Sequence, residues 1–176
     1  MDLFGSLISF LQSVWDDVKP VIFIREYQLA VMYKGGIYFK ILEPGIHFRI
    51  PFYHEYIDIF AKDDTIKTPT QMLTTQDGLG TSISAVVLYN VDDANLFING
   101  VNDAKQAISD MAEVNVARNI VNTKFEDCNN EILMNEVTKD LRRDCKKWGV
   151  YIKEVTINSL TKSKSINILK QAESHL

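Results

Sequence analysis

The chain has 176 residues, of which 46% are hydrophobic and 24% are charged, and this is the composition of a folded domain rather than of a disordered segment. The formal net charge is −4, and the densest basic run, Arg142–Lys147, is interrupted by an aspartate, so we expect no nucleic-acid partner. The sequence contains no run of about 18 apolar residues, so no transmembrane helix is predicted. The N-terminus does not fit a secretory signal, because Asp2 stands where a positively charged region is expected.

Residues 1–20 carry the clearest helical periodicity and predict an amphipathic helix that ends before Pro20, because proline cannot continue a helix. We expect this helix to lie in the membrane interface, with its serines and aspartates in water. The predicted membrane-binding residues form its apolar face: Leu3, Phe4, Leu7, Ile8, Phe10, Leu11, Val14, Trp15 and Val18. No lysine or arginine precedes Lys19, so the alternative is a helix packed on its own domain or on a partner subunit.

Residues 21–95 alternate between short apolar runs and turn residues, and they predict a β-rich first subdomain. Two of these runs, Gln28–Tyr33 and Ile37–Ile41, flank Lys34-Gly35-Gly36 and predict a hairpin. Glu43-Pro44-Gly45 predicts a turn that reverses the chain into a strand over His47–Ile50. We expect mostly local strand pairing, with further strands at Tyr56–Phe60, Ile66–Thr68 and Thr81–Val91.

Residues 96–160 predict a second subdomain of helix, helix and strand, and the complete order of elements predicts an α+β fold. The helices are expected over Asp103–Lys124, with Asp103 as the N-terminal cap, and over Asn129–Trp148, with Gly149 as the C-terminal cap. A strand should follow over Val150–Ile157. Residues 161–176 are assigned to the start of a short C-terminal helix, predicted over Ser163–Leu176.

The segment from Gly36 to Pro51 resembles the opening signature of the stomatin–prohibitin–flotillin family (SPFH, or Band 7), and the resemblance extends over about residues 22–160. Further matches follow in order: Leu73–Asp77, Tyr89–Asp93, Ala117-Arg118-Asn119 and Trp148-Gly149-Val150. The resemblance assigns structural roles to the following motif positions: Gly36, Pro44, Gly45, His47, Phe48, Pro51, Asp77, Arg118, Trp148 and Gly149. It also predicts the SPFH fold behind the N-terminal helix.

The resemblance implies a non-enzymatic scaffold on the cytoplasmic face of a membrane, which it contacts through the N-terminal helix. Such a protein self-assembles laterally as a homo-oligomeric ring or cage, and it organises a microdomain or restrains a membrane-protein client such as a protease. Family members usually continue into a long coiled coil, and stomatin-type members carry a hydrophobic hairpin and an acylated cysteine. The sequence stops at Leu176 and has no cysteine before Cys128, so we expect neither a large cage nor that lipid anchor.

Two alternatives remain open. The first is a soluble protein-interaction module or assembly decoy whose N-terminal helix binds a partner protein. The second is a small hydrolase in which a cysteine and a histidine meet in space. No catalytic, cofactor-binding or metal-binding residue is predicted, because the spacing of the candidates fits no known site: His47, His54, His175, Cys128, Cys145, Gly78 and Gly80. The two cysteines predict reduced thiols rather than a disulfide framework.

Overall fold

A computed structural model of the chain describes residues 3–18 and 20–162, with side chains for residues 5–13 and 20–162. The helices are α1 (Leu3–Val18), α2 (Ala94–Asn99), α3 (Ala104–Val121) and α4 (Glu131–Cys145). The strands are β1 (Val21–Ile24), β2 (Gln28–Lys34), β3 (Ile37–Leu42), β4 (Gly45–Phe48), β5 (His54–Phe60), β6 (Asp64–Lys67), β7 (Gln71–Thr74), β8 (Gly80–Val91) and β9 (Val150–Lys162). The predicted C-terminal helix, Ser163–Leu176, lies outside the described residues.

The first five strands form two small antiparallel sheets, which we call the β1–β5 unit. In one sheet β1 pairs with β4, and in the other β2 lies between β3 and β5. The apolar side chains between the two sheets are buried, and they form a cluster of their own: Ile22, Ile24, Ala30, Met32 and Leu42. Because a strand presents alternate residues to opposite faces, each of these sheets also has a face that points away from this cluster.

The main core lies between the second sheet system and the long helices. Strand β8 is central, with β6 and β7 pairing along its length and β9 pairing antiparallel to it. Its alternate residues Ile83, Ala85, Val87 and Tyr89 are buried. Helix α3 contributes Ile108, and further core residues of the two helices are Ala112, Val116, Ile120, Leu133, Val137 and Leu141. The α+β order predicted from the sequence is confirmed.

Helix boundaries follow from side-chain caps. The carboxylate of Asp103 accepts a hydrogen bond from the backbone N–H of Gln106 and begins α3, as the sequence predicts. Asn130 caps α4 in the same way through the N–H of Ile132. Helix α2 was not expected, because its six residues are too few to show a periodicity. Asp93 nevertheless caps it by accepting from the N–H groups of Asn95 and Leu96.

The expected hairpin at Pro44-Gly45 is wrong in its pairing. The chain does bend at Pro44, and Gly45 has a φ of 143°, but β4 forms hydrogen bonds with β1 rather than with β3. Strand β4 also begins two residues earlier than predicted, at Gly45, and ends at Phe48. Strand β3 pairs with β2. The longest ladder joins β8 to β9, and β9 lies outside residues 21–95, for which mostly local pairing was expected.

Candidate functional site

Helix α1 presents its apolar residues to solvent. Every described side chain from Gly5 to Ser13 is exposed, including those of Leu7, Ile8, Phe10 and Leu11. The side chains of the other predicted membrane-binding residues, Leu3, Phe4, Val14, Trp15 and Val18, lie outside the described part of the structure. The described part of α1 therefore does not pack on its own domain. No helix within the described ranges is both long and apolar enough to cross a membrane.

The β1–β4 sheet carries a second set of exposed apolar side chains. In the antiparallel register Phe23 lies opposite Ile46, and Phe48 lies two residues further along the same face. Phe23 is 71% exposed, Ile46 64% and Phe48 78%, whereas Ile22 on the opposite face is buried. We call Phe23, Ile46 and Phe48 the outer face. Exposed apolar residues scattered singly need no explanation, but adjacent ones on one sheet face indicate an interaction surface.

The outer face continues into one end of the β1–β5 unit. Ile50 and Phe52 follow β4 and are exposed, Phe52 to 86%, and Ile37 is exposed at the tip of the β2–β3 hairpin. We call Ile37, Ile50 and Phe52 the apolar end. Backbone hydrogen bonds hold its parts together, because the N–H of Gly35 donates to the carbonyl of Tyr53 at 3.0 Å.

The first strand of the unit starts at the apolar end, where the chain arrives from α1. The N–H of Arg49, the residue before Ile50, donates to the carbonyl of Pro20 at 2.8 Å. Pro20 lies only two residues after the last residue of α1, Val18. The predicted amphipathic helix and the apolar end are therefore joined by a very short connection, and both are available for a common contact.

Basic and aromatic side chains surround the hairpin tip. The imidazole of His54 stacks between two rings, with its centroid 6.0 Å from that of Phe39 and 5.5 Å from that of Tyr53. The ammonium group of Lys34 lies 5.5 Å from the Tyr53 ring centroid and 5.9 Å from that of Phe39. Lys40 approaches Phe39 at 5.7 Å. Sequence reasoning did not single out any of these residues as a functional site except to weigh His54 as a catalytic candidate.

A polar group between the β1–β5 unit and the main sheet is paired internally. The ammonium of Lys105 donates to the carboxylate of Asp64 at 2.7 Å, and the hydroxyl of Tyr89 donates to the same carboxylate at 3.2 Å. The Lys105 hydrogen bond lowers the pKa of Asp64, and burial raises the pKa of Tyr89. These groups border a shallow cavity of about 190 Å³ together with Phe60 and Phe97. Asp64, Tyr89 and Lys105 therefore satisfy one another's polar groups.

The two cysteines are structural. Cys128 and Cys145 are free and fully buried in the main core. Burial raises the pKa of Cys145 to about 12 and also raises the pKa of Cys128, so both thiols stay protonated and unreactive. His47 and His54 make their contacts in the β1–β5 unit, and among the described residues no cysteine is hydrogen-bonded to a histidine. The cysteine–histidine pair required by the hydrolase alternative is not formed there.

Several family-motif positions are explained by backbone geometry at the first turns. Gly36 has a φ of 77° in the hairpin turn, a conformation that favours glycine. The Nε2 of His47 lies 2.7 Å from the carbonyl oxygen of Glu43 and ties the bend at Pro44 to β4. Pro51 opens the turn that leads into β5. Phe48, by contrast, is not part of a core, because it belongs to the exposed outer face.

The later motif positions meet in space around α2. The N–H groups of Asp92 and Asp93 donate to the carbonyl of Gly149, both at 2.9 Å. Gly149 has a φ of 69°, and a Cβ added there would lie 2.3 Å from the carbonyl oxygen of Asp93. Gly149 follows the short 3₁₀ turn that contains Trp148. Two motifs that are distant in sequence thus form one backbone junction that only glycine fits.

The remaining two motif positions differ from each other. Asp77 accepts hydrogen bonds from the hydroxyl of Thr75 and from the N–H of Phe125, which joins the turn before β8 to the segment after α3. The hydrogen bond from Thr75 lowers the pKa of Asp77. Arg118 is exposed in the last turn of α3. Its position complements the negative end of the helix dipole.

Comparison with known proteins gives a consistent result. The chain is 25% identical to mouse stomatin over 89% of its own length, 28% identical to human stomatin-like protein 3 over 88%, and 26% identical to an uncharacterized protein of Methanocaldococcus jannaschii over 81%. The matches span 56%, 53% and 73% of those proteins, so the chain covers only about half the length of the two stomatin relatives. The family described as SPFH domain / Band 7 matches residues 22–173. The chain therefore belongs to the SPFH domain / Band 7 family.

Proposed function

We propose that this protein is a membrane-associated scaffold whose membrane contact is made jointly by α1 and the β1–β5 unit. The observation that carries the proposal is the continuous exposure of apolar side chains from the outer face to the apolar end, beside the short connection to an exposed α1. A sheet that packs one face on a core normally presents polar side chains on the other. Here the second face, which is the outer face, is apolar, so it requires either the lipid of a membrane or a partner protein to cover it.

The energies favour joint binding over binding by α1 alone. Full burial of one phenylalanine side chain contributes about 1.5–3 kcal/mol. Phe23, Phe48 and Phe52 would therefore contribute roughly 4–9 kcal/mol on entering the acyl boundary, before the loss of freedom on binding is subtracted. Between Gly5 and Ser13 helix α1 has no basic residue, so it lacks the attraction to anionic lipid that usually supports interfacial helices. The β1–β5 unit supplies both the additional apolar area and nearby lysines.

The scaffold part of the proposal is supported by family membership and by the absence, in the described residues, of a catalytic arrangement. We propose that copies of this chain associate laterally on the cytoplasmic face of the membrane and thereby organise lipid or restrain a membrane-protein client. The membrane-binding role of the nine predicted residues of α1 belongs to this proposal.

A soluble interaction module or assembly decoy is the second candidate function. The observation that favours it is the acidic character of α1, whose polar side carries aspartates and no lysine or arginine before Lys19. In that case the same apolar residues would cover a groove on a partner protein rather than enter lipid. A membrane-associated scaffold should bind vesicles that contain no other protein, whereas a soluble interaction module should not.

Vesicle flotation with full-length protein tests the proposal. One variant changes the β surface (Phe23→Ser, Phe48→Ser, Phe52→Ser) and another changes the helix (Leu7→Ser, Ile8→Ser, Leu11→Ser). A matched control replaces exposed apolar residues outside the β1–β5 unit (Met72→Ser, Val114→Ser, Ile132→Ser), which are comparably accessible. We expect both test variants to lose most of their vesicle binding while the control floats like the native protein. Native protein that stays in the soluble fraction would refute membrane association.

The scaffold part has its own measurement. Mass photometry of detergent-solubilised protein, or single-molecule step counting on supported bilayers, reports the number of associated copies. We expect oligomers at micromolar protein concentration. A protein that binds vesicles but remains strictly monomeric on them would leave the membrane contact intact and refute lateral assembly.

A further inference from the structure

We propose that Lys34, Lys40 and His54 form a binding site for the phosphate of an anionic lipid headgroup, next to the apolar end. The inference rests on the proposed membrane association and names the lipid chemistry that the β1–β5 unit would recognise. The carrying observation is a pair of ammonium groups and a donor-ready imidazole grouped around one aromatic ring, that of Phe39.

The strand register explains how the three groups come together. Lys34, the last residue of β2, lies opposite His54 of the neighbouring strand β5. On the other side of β2, Lys40 pairs with Met32, and a bulge leaves Phe39 without a cross-strand partner. The Phe39 ring nevertheless stacks on His54 at an interplanar angle of 10°, so it spans from β3 to β5 at the end of β2. The bulge therefore gathers side chains from three strands into one cluster.

In the part of the chain that the structure describes, neither ammonium group has an anionic partner. Within the described residues Lys34 and Lys40 form no salt bridge, whereas Lys105 and Lys153 of the second half each hold an aspartate at 2.7 Å. Glu55, the acidic residue next to His54 in the sequence, pairs with Tyr33, and strand alternation places it on the opposite sheet face from Lys34. Both ammonium groups lie within 6 Å of the centroid of the Phe39 ring. Two like charges that share one ring favour an anion between or above them.

The imidazole of His54 is oriented by the backbone. Its Nδ1 accepts a hydrogen bond from the N–H of Ile50 at 3.1 Å. In the neutral ring this acceptor role places the proton on Nε2. No other described residue is hydrogen-bonded to the imidazole of His54, so its Nε2–H is a donor available to a phosphate oxygen. The site thus offers two point charges and one directional donor, which suits a phosphodiester carrying one negative charge.

The position of the cluster matches the depth at which a headgroup lies. Ile37 and Phe52 of the apolar end are the parts of this tip that would enter the acyl region. Lys34 is separated from Ile37 only by the two glycines of the hairpin turn, and His54 follows Phe52 by two residues. Lysines and aromatic rings are favoured at the boundary between hydrocarbon and water, where the ammonium groups reach phosphate while the rings remain partly apolar. The cluster of Lys34, Lys40 and His54 would therefore lie at the level of the lipid phosphates.

The test compares vesicles of phosphatidylcholine alone with vesicles containing phosphatidylglycerol, at one ionic strength. The test variant is Lys34→Ala with Lys40→Ala, and the matched control is Lys139→Ala with Lys146→Ala, which removes the same charge from exposed lysines of the second half. Each lysine near an anionic surface contributes about 1 kcal/mol, which corresponds to about fivefold in partition. We expect the test variant to bind phosphatidylglycerol vesicles roughly 10- to 30-fold more weakly, with unchanged binding to phosphatidylcholine and a much smaller effect in the control.

Two further arms identify the group that is recognised. His54→Phe keeps the ring stack and removes the donor, so we expect a weaker preference for phosphatidylglycerol without a loss of binding to phosphatidylcholine. Inorganic phosphate, added at constant ionic strength, competes if the site also takes a free anion. Competition would assign the site to phosphate in general, whereas its absence together with the lysine effect would assign it to the headgroup in the membrane.

The outcomes separate this inference from the proposed function. Native protein that binds neither kind of vesicle would refute membrane association itself. Native protein that binds both kinds equally, with no effect of the Lys34 and Lys40 substitutions, would leave membrane association standing and overturn the headgroup site. Equal losses in the test and control variants would also overturn it, because they would show a response to net charge alone.

Discussion

Replacing Gly149 by alanine should destabilise the fold far more than the same change at another glycine with positive φ. Gly149 has a φ of 69°, and the added Cβ would meet the carbonyl oxygen of Asp93 at 2.3 Å and the Cβ of Leu96 at 2.8 Å. A left-handed conformation costs a non-glycine residue about 1–2 kcal/mol. Relieving the overlap costs a further 1–3 kcal/mol or so, because the junction is backbone and cannot simply rotate away.

Gly36 is the matched control for this change. Its φ is 77°, so Gly36→Ala meets the same conformational cost, but no heavy atom lies within 4 Å of the added Cβ. We expect a loss of about 2–5 kcal/mol in the free energy of unfolding for Gly149→Ala and about 1–2 kcal/mol for Gly36→Ala. Urea unfolding followed by circular dichroism measures both. Similar losses in the two variants would refute the close contact between Gly149 and α2.

Three further predictions concern residues outside the β1–β5 unit. Thr138→Val should lower the free energy of unfolding by about 1–3 kcal/mol in urea titrations, because it leaves the buried N–H of Val155 without the hydroxyl that now accepts its hydrogen bond at 3.0 Å. Burial raises the pKa of the Cys145 thiol to about 12, so the folded state favours the neutral thiol. The stability that the neutral thiol contributes should be complete below pH 9 and should be lost as the pH rises towards 12. Cys145→Ala should flatten that alkaline loss, and native protein should react slowly with an aromatic disulfide reagent that labels it at once in urea. The Lys105 hydrogen bond lowers the pKa of Asp64, so the folded state favours the ionised carboxylate. The stability that this carboxylate contributes should be present above pH 3.8, the ordinary pKa of an aspartate, and should vanish as the pH falls below it. Asp64→Asn should therefore reduce the loss of unfolding free energy at acid pH. The reduction should be about 1 kcal/mol or less, because the ion pair between Lys105 and Asp64 is exposed. An unchanged loss at acid pH would contradict the stabilising role of the Asp64 carboxylate.

Helices α3 and α4 were predictable because a capping residue precedes each and because the apolar residues of α4 recur on one face. Asp103 and the buried residues Leu133, Val137 and Leu141 are examples. The pairing of β4 was not predictable. Every residue pattern around Pro44 is compatible with a hairpin, and only the three-dimensional arrangement shows that β4 lies against β1. A strand's period identifies its faces but not its neighbour.

The candidate site was predictable only at α1. The exposure of Phe23 and Phe48 could not be derived from the sequence, because short strands made almost wholly of apolar residues read as core on both faces. Whether such a face is buried depends on the presence of another layer, and that is a property of the complete fold. The basic and aromatic cluster was missed for a different reason. It is assembled by the bulge at Phe39, which brings residues of three strands together.

The pairing of β8 with β9 sets the order in which this chain can fold during synthesis. Strand β8 ends at Val91, and its partner begins only at Val150, after all of α2, α3 and α4. Until β9 has left the ribosome, one edge of a long, apolar central strand stays unpaired, and such edges associate readily with other chains. The nascent protein is therefore expected to be most vulnerable to aggregation late in translation. Refolding of the full chain should be slow for its size, because its longest ladder joins segments distant in sequence.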